Sequence, residues 1–189
     1  MEPQLHEPDD SLHRTRDELL VIRCQLGESE AFDELVHLWS DRLWRHLRRT
    51  AGQDAADDLA QEIWLRAFRG IAGLRDGAKL RSWLFGIAHN VAMDRLRGAY
   101  SETAMLAAMA DAPDPEPPTE AEARSVMLAE ELARLPLVER EALTLFYLEE
   151  LSLAELAAAQ SVPTGTAKSR LFRARRMLRI TMTKEEDNV

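Results

Sequence analysis

Apolar residues recur along most of this chain at the three- to four-residue spacing of a helix, and little of it alternates as a strand would require. The clearest run is in residues 29–50, where Phe32, Leu35, Val36, Trp39, Leu43 and Leu47 form one stripe. A shorter helix is predicted ahead of it, from Thr15 or Arg16 to about Gln25, stopped by Gly27. Asp54 can cap a third helix, which carries Leu59, Ile63 and Ala67 inward and ends before Gly70 or Gly73. After the loop GLRDGAKL, a fourth helix over residues 80–97 buries Trp83, Leu84, Ile87, Val91 and Leu96. These four are enough for one compact helical domain.

The character then changes. Residues 111–120, DAPDPEPPTE, hold four prolines and four acidic residues, a composition of extended, solvated chain. Helical signals resume at Thr119, with Glu122 at the capping-box position, and Pro136 stands where it would open a further helix through Leu145 and Phe146. Residues 151–179 then read as two short helices joined by a tight turn. Ser152 and Glu155 form a capping box. Pro163 lacks an N–H and ends the first helix, and Thr164 can cap the second. In that second helix Ala167, Leu171, Ala174 and Leu178 make the packing face, while Lys168, Arg170, Arg173, Arg175, Arg176 and Arg179 cover the others. This is a helix-turn-helix with a cationic second helix, the arrangement that lays one helix in the major groove.

Charge sharpens that reading. The 189-residue chain carries a net charge of −9, yet residues 151–189 are net +3 and residues 31–100 are net +2. Residues 1–30 are net −5 and residues 101–150 net −9. Between residues 151 and 179 the single acidic residue is the capping Glu155, so the cations lack the carboxylates that would make a salt-bridged surface. A free-standing DNA-binding domain is usually basic. An acidic chain with two basic islands needs a second explanation, such as a large protein partner that supplies much of the affinity.

Cys24 is the one cysteine, which excludes an internal disulfide and a zinc-ligand set. His6, His13, His37, His46 and His89 are scattered without ligand spacing, and no phosphate-binding glycine loop is present. The chain therefore reads as non-enzymatic and free of cofactors and metals. Its start, MEPQLHEPDD, is unlike a secretory signal, and no run approaches the roughly 18 apolar residues of a membrane span. A soluble, intracellular protein is expected.

The first block has two candidate surfaces. Arg75, Lys79, Arg81, Arg95 and Arg97 interleave with Trp83, Phe85, His89 and Asn90, a mixture suited to unstacked single strands. Trp83 also lies on the buried stripe and fits a core role. In the third helix Asp57, Asp58, Gln61 and Glu62 cluster beside Trp64, Leu65 and Phe68. Two readings of that patch stand open: carboxylates complementing the helix dipole, or a protein-docking surface.

The stretch DDLAQEIWLRAFRGIAGLRDGAKLRSWLFGIAHNVAMDRLRG resembles region 2 of bacterial sigma-70 family factors of the extracytoplasmic-function group. LPLVEREALTLFYLEELSLAELAAAQSVPTGTAKSRLFRARRMLR resembles region 4 of the same group. The resemblance implies an all-α chain of two small domains. A tail over 1–15 would precede region 2 over 16–98, an acidic proline-rich linker over 99–120, region 4 over 121–181 and a tail over 182–189. It implies docking on the β′ clamp of core RNA polymerase through Asp58, Gln61, Glu62, Leu65 and Arg66, with region 4 meeting the β flap. Leu74, Arg75, Asn90, Asp94 and Arg95 would recognise and melt the −10 element, helped by the cations Lys79, Arg81 and Arg97. Thr164, Thr166, Lys168, Ser169, Arg170 and Arg173, with Arg176, would read the −35 element. An anti-sigma protein is the implied regulator, and the bacterial cytoplasm the implied compartment.

Four positions depart from the family pattern. Gly86 and His89 stand where many relatives carry arginine, which makes the fourth helix less basic. Ser161 and Glu150 replace frequent glycines, and Ser161 implies a cost if its φ is positive. The rival reading is a stand-alone helix-turn-helix regulator that binds duplex DNA without polymerase.

Overall fold

The computed structural model describes residues 10–102 and 130–186, and among these it is helical with no strand. Helix α1 spans Asp10–Gln25, α2 Ser29–Ala51, α3 Gln53–Gly70 and α4 Leu80–Glu102, with 3-10 turns at Ile71–Gly73 and Gly77–Lys79 between the last two. Residues 130–133 are helical and lead to α5, Leu137–Leu143, which runs on as a single π turn, Thr144–Leu148. The helix-turn-helix consists of α6, Leu153–Ala159, and α7, Thr164–Glu186. None of the described helices is long and apolar enough to cross a membrane.

The helices start and stop for identifiable reasons. Gly27 and Gly52 take φ of 83° and 91°, conformations that a side chain disfavours, and they separate α1, α2 and α3. Gly52 is also the N-cap of α3, so Asp54 sits inside the first turn and makes no capping bond. At α6 the Glu155 N–H donates to Ser152 Oγ and the Ser152 N–H donates to Glu155 Oε2 at 2.8 Å, a complete capping box. Thr164 is the first residue of α7 and not its cap. Pro163 precedes it, and its carbonyl accepts from the N–H groups of Thr166 and Ala167. Both end helices are longer than the sequence suggests. Residues 10–15 and 182–186 are helical, because extending a formed helix costs little once it is nucleated.

The first block buries one apolar face of each helix. Leu20 and Val21 of α1, Leu35 and Leu43 of α2, Leu59 and Ile63 of α3, and Leu80, Leu84 and Val91 of α4 share its core. The second block has a small core of its own from Leu132, Leu135, Leu143, Leu171 and Ala174. The two blocks are packed together. The buried cluster of the first continues without a break into Ala142, Leu145, Leu151, Leu156, Ala157, Ala159 and Ala167 of the second. The expected tether lies largely outside the described residues.

Candidate nucleic-acid and protein interfaces

Helix α3 holds its acidic face outward because Ala55, Ala56, Leu59, Ile63 and Ala67 take the inward positions. Asp58, Gln61 and Leu65 are exposed, and Phe68 next to them is 65 % exposed while its ring edge meets Phe32 at 5.1 Å. Asp57 is engaged differently, accepting from the Trp44 indole N–H at 2.8 Å. Arg66 links this face to α4. Its Nε donates to Glu62 Oε1 at 2.8 Å and its Nη1 to Asp94 Oδ2 at 2.9 Å. Asp94 also accepts from Arg97 Nη2 at 2.6 Å. Arg97 first and Arg66 second hold the Asp94 carboxyl below its usual range, and Glu62 and Asp94 raise the Arg66 guanidinium.

The loop between α3 and α4 is held by α1. The Gln25 side-chain amide donates to the carbonyls of Ile71 at 3.0 Å and Leu74 at 2.7 Å. Gly77 lies against the Glu18 backbone so closely that a Cβ there would be 2.7 Å from Glu18 Cα. Sequence patterning missed both residues, since neither a glutamine near a helix end nor a loop glycine signals its partner. Leu74 is half-buried, Arg75 is exposed, and Lys79 pairs with Asp76 at 3.1 Å. Arg81 is half-buried, whereas Asn90, Arg95 and Arg97 face solvent along α4.

Trp83 is half-buried against Gly70. Phe85 and His89, grouped by sequence with the base-stacking candidates, are instead buried at 0 % and 8 % exposure. The reason is helical register. Phe85 turns inward and packs edge-on against Trp39 and His46 of α2 at 6.3 and 5.1 Å, while Gly86 and His89 face Ala159 and Glu141 of the second block.

In α7 Ala167, Leu171 and Ala174 are buried as the spacing predicts, and Thr164, Thr166, Lys168, Ser169, Arg173 and Arg176 are exposed. The Ser169 hydroxyl donates to Gly165 O. Arg170 is half-buried and donates to Gln160 Oε1 at 3.1 Å, while Arg173 donates to Glu139 Oε1 at 2.8 Å. These two are therefore oriented by their own block. The turn before α7 places Ser161 at φ 51°, and Glu150, ahead of α6, is at φ 52°. Both are the positions where glycine is frequent.

A third cluster, invisible to the sequence reading, joins the blocks. Glu141 is 1 % exposed, and its Oε2 meets His89 Nδ1 at 2.5 Å and Gln160 Nε2 at 3.1 Å, with His46 Nε2 3.9 Å from Oε1. Burial alone would push this carboxyl up, but the two imidazoles outweigh it and hold it down at about 2. Glu149 accepts from Arg42 twice, through Oε2 at 2.6 Å and its carbonyl at 2.9 Å, and Arg140 donates to Thr50 O at 2.8 Å. No group of three or more potential metal ligands occurs among the described residues.

Comparison with known proteins covers both blocks. Residues 35–102 match the family Sigma-70 region 2, and residues 125–178 match Sigma-70, region 4. The ECF RNA polymerase sigma factor SigW of Bacillus subtilis is 30 % identical over 84 % of this chain and 92 % of its own. The fold is similar to that of CnrH in complex with the cytosolic domain of CnrY, at TM-score 0.67 and 22 % identity over 89 % of this chain and 97 % of the other. It is also similar to the sigma factor RpoE of Bartonella quintana in complex with the anti-sigma factor NepR, at TM-score 0.64 and 23 % identity over 80 % and 96 %. With region 2 and region 4 matched in order and a full-length relative at this identity, the chain belongs to the extracytoplasmic-function group of sigma-70 factors, the non-enzymatic subunits that bind core RNA polymerase and direct it to promoters.

Proposed function

We propose that initiation is divided among three surfaces of this chain. The exposed edge of α3, with Asp58, Gln61, Glu62, Leu65 and Arg66, docks on the polymerase β′ clamp. The braced loop and α4, with Leu74, Arg75, Lys79, Arg81, Asn90, Asp94, Arg95 and Arg97, engage the −10 element and hold its unpaired strand. Helix α7, with Thr164, Thr166, Lys168, Ser169, Arg170, Arg173 and Arg176, reads the −35 duplex. Exposed Tyr147, Leu148 and Phe172 offer the apolar contact for the β flap. The observation that carries this division is Arg66, which bridges Glu62 on the docking edge to Asp94 on the melting helix. Polymerase binding and strand capture are thereby mechanically joined.

Melting on this reading is driven by binding energy for the separated strand, without nucleotide hydrolysis by this chain. Phosphate contacts from the cations make affinity fall steeply with salt, and base contacts by α7 set the sequence read. Control by an anti-sigma protein is proposed from the likeness to a sigma factor solved with one. The cytoplasm, where polymerase works, is the proposed site of action.

Transcription with core polymerase on a promoter library tests the reading, with the protein present or absent and with Asp58→Arg and Lys168→Ala variants. Discrete transcripts that require the protein are expected, reduced at least tenfold by Asp58→Arg and weakened at −35-dependent promoters by Lys168→Ala. Tight duplex binding by the protein alone, with no transcript in any lane, would favour the stand-alone regulator instead.

A further inference from the structure

Gln160 caps the C-terminal end of α6, at the turn of the helix-turn-helix, and this amide side chain belongs to a residue only 2 % exposed. Leu156, Ala157 and Ala159 beside it are buried too, so an apolar side chain of the same size would fill the position at a lower desolvation cost. What an amide adds is a set of directed bonds. Its Nε2 donates to Val138 O at 3.2 Å and to Glu141 Oε2 at 3.1 Å. Both partners act as acceptors only, since the Glu141 carboxyl is held ionised, and this fixes which way the amide faces. Oε1 is thereby turned toward α7, where it accepts from Arg170 Nη1 at 3.1 Å.

We propose, on the reading that α7 contacts the −35 duplex, that Gln160 is a positioning residue for promoter recognition. It fixes the Arg170 guanidinium at one −35 base pair without neutralising its charge. Arginine carries its N–H donors in one rigid plane. Held through Nη1, Arg170 keeps Nε and Nη2 without a partner among the described residues, and that fork matches O6 and N7 of a guanine. Gln160 makes no contact with DNA on this assignment and acts through Arg170 alone.

The neighbouring Arg173 shows the contrast. It donates to Glu139 Oε1 at 2.8 Å, a buried carboxylate that offsets its charge. Gln160 is neutral, so Arg170 is oriented and still presents a full positive charge to DNA. The hold also bears on discrimination. A loosely held arginine can swing to a phosphate or to the next base when its guanine is replaced, whereas a tethered one is left with unpaired donors. Orienting the side chain beforehand also reduces the rotamer freedom lost on binding.

A double-mutant cycle on the full-length protein with core polymerase tests this. Transcription is measured from promoters carrying every single base-pair substitution of the −35 element, for the wild type, Gln160→Met, Arg170→Ala and the double variant. At the position Arg170 reads, the wild type is expected to favour one base by roughly fivefold to a hundredfold, the range of a bidentate arginine–guanine contact. Arg170→Ala should erase that preference. Gln160→Met, of similar volume, should weaken it by about threefold or more, leave the other −35 positions and the −10 preference as they were, and add nothing in the Arg170→Ala background. A uniform loss at every −35 position in Gln160→Met, an unchanged profile, or an equal effect in the Arg170→Ala background would overturn the inference and leave the reading of α7 intact. An Arg170→Ala profile like that of the wild type would overturn both. A measurement on the wild type decides the matter even if the methionine variant fails to fold. NMR relaxation of the arginine Nε–H groups should show Arg170 as ordered as the backbone, and Arg176, whose side chain has no partner among the described residues, as mobile. Equal mobility of the two would overturn the inference by itself.

Discussion

His89 Nδ1 and Glu141 Oε2 are 52 residues apart in the chain and 2.5 Å apart in space, and both side chains are buried between the two blocks. His46 approaches the second carboxylate oxygen from α2, Gln160 donates from the end of α6, and Arg170 of α7 stands behind Gln160. Arg140, next to Glu141 in sequence, turns away to the carbonyls of Thr50, Ala133 and Leu135. A negative charge is thus kept dry by groups from four helices.

That arrangement predicts an acid limb of stability. The Glu141 carboxyl is lowered from 4.5 to about 2 in the folded protein. Below 4.5 the unfolded chain takes up a proton that the folded one refuses, so stability is full above 4.5 and falls as pH drops toward 2. Urea unfolding at a series of pH values should show this loss, amounting to a few kcal/mol. Glu141→Gln should flatten that limb and cost about 2–3 kcal/mol near neutrality, because an imidazole loses its charged partner. An unchanged slope between pH 4.5 and 2 in the variant would count against the assignment.

Glu150 and Ser161 are strained where glycine would not be. Their φ values of 52° and 51° crowd Cβ against the following carbonyl oxygen. Glu150→Gly and Ser161→Gly should each raise stability by about 0.5–1 kcal/mol, less than the full strain because glycine also loosens the unfolded chain. Thermal unfolding of the single and double variants checks this, and the two increments should add if the turns are independent.

Much of this was legible in the sequence, and the residues show why. The stripe of Leu35, Trp39, Leu43 and Leu47 and the inward set Ala167, Leu171 and Ala174 are local patterns, and the helix repeat alone buries them. The capping box at Ser152 is equally local. Phe85 and His89 were misread because sequence gives the chemistry of a side chain but not which neighbour covers it. Phe85 is covered by Trp39 and His46 of α2, and His89 by Glu141 of α5, neighbours far away in sequence. Cys24 is half-buried, and burial pushes its thiol up, which keeps it protonated and weakly nucleophilic.

The loop that carries Leu74 and Arg75 should depend on α1. Gln25→Ala removes two hydrogen bonds to its backbone and should cost about 1–2 kcal/mol. Gly77→Ala forces a Cβ against the Glu18 backbone and should cost about 1–3 kcal/mol. Hydrogen exchange of amides in residues 71–79 should speed up in both variants, while that of α7 stays as it was. Slower formation of open promoter complexes with unchanged −35 duplex binding is the expected functional result.

Arg66 gives the sharpest separation of function from stability. Its ion pairs with Glu62 and Asp94 are partly exposed, with side-chain accessibilities of 37 %, 44 % and 46 %, so solvent screens them. Arg66→Ala should therefore lower stability by less than about 1 kcal/mol. Removing Arg66 frees Glu62 and leaves Asp94 with Arg97 alone. The Asp94 carboxyl, followed by NMR, should then titrate at a higher pH than in the wild type but still below its ordinary range. In Arg97→Ala it should move further, since Arg97 makes the shorter contact and the larger contribution. Transcription from promoters that need strand capture should fall severalfold in Arg66→Ala despite the intact fold, and polymerase affinity should weaken along with it. If the two effects instead separated cleanly, with melting lost and polymerase binding untouched, Arg66 would belong to the α4 surface alone, and the bridge to Glu62 would be incidental.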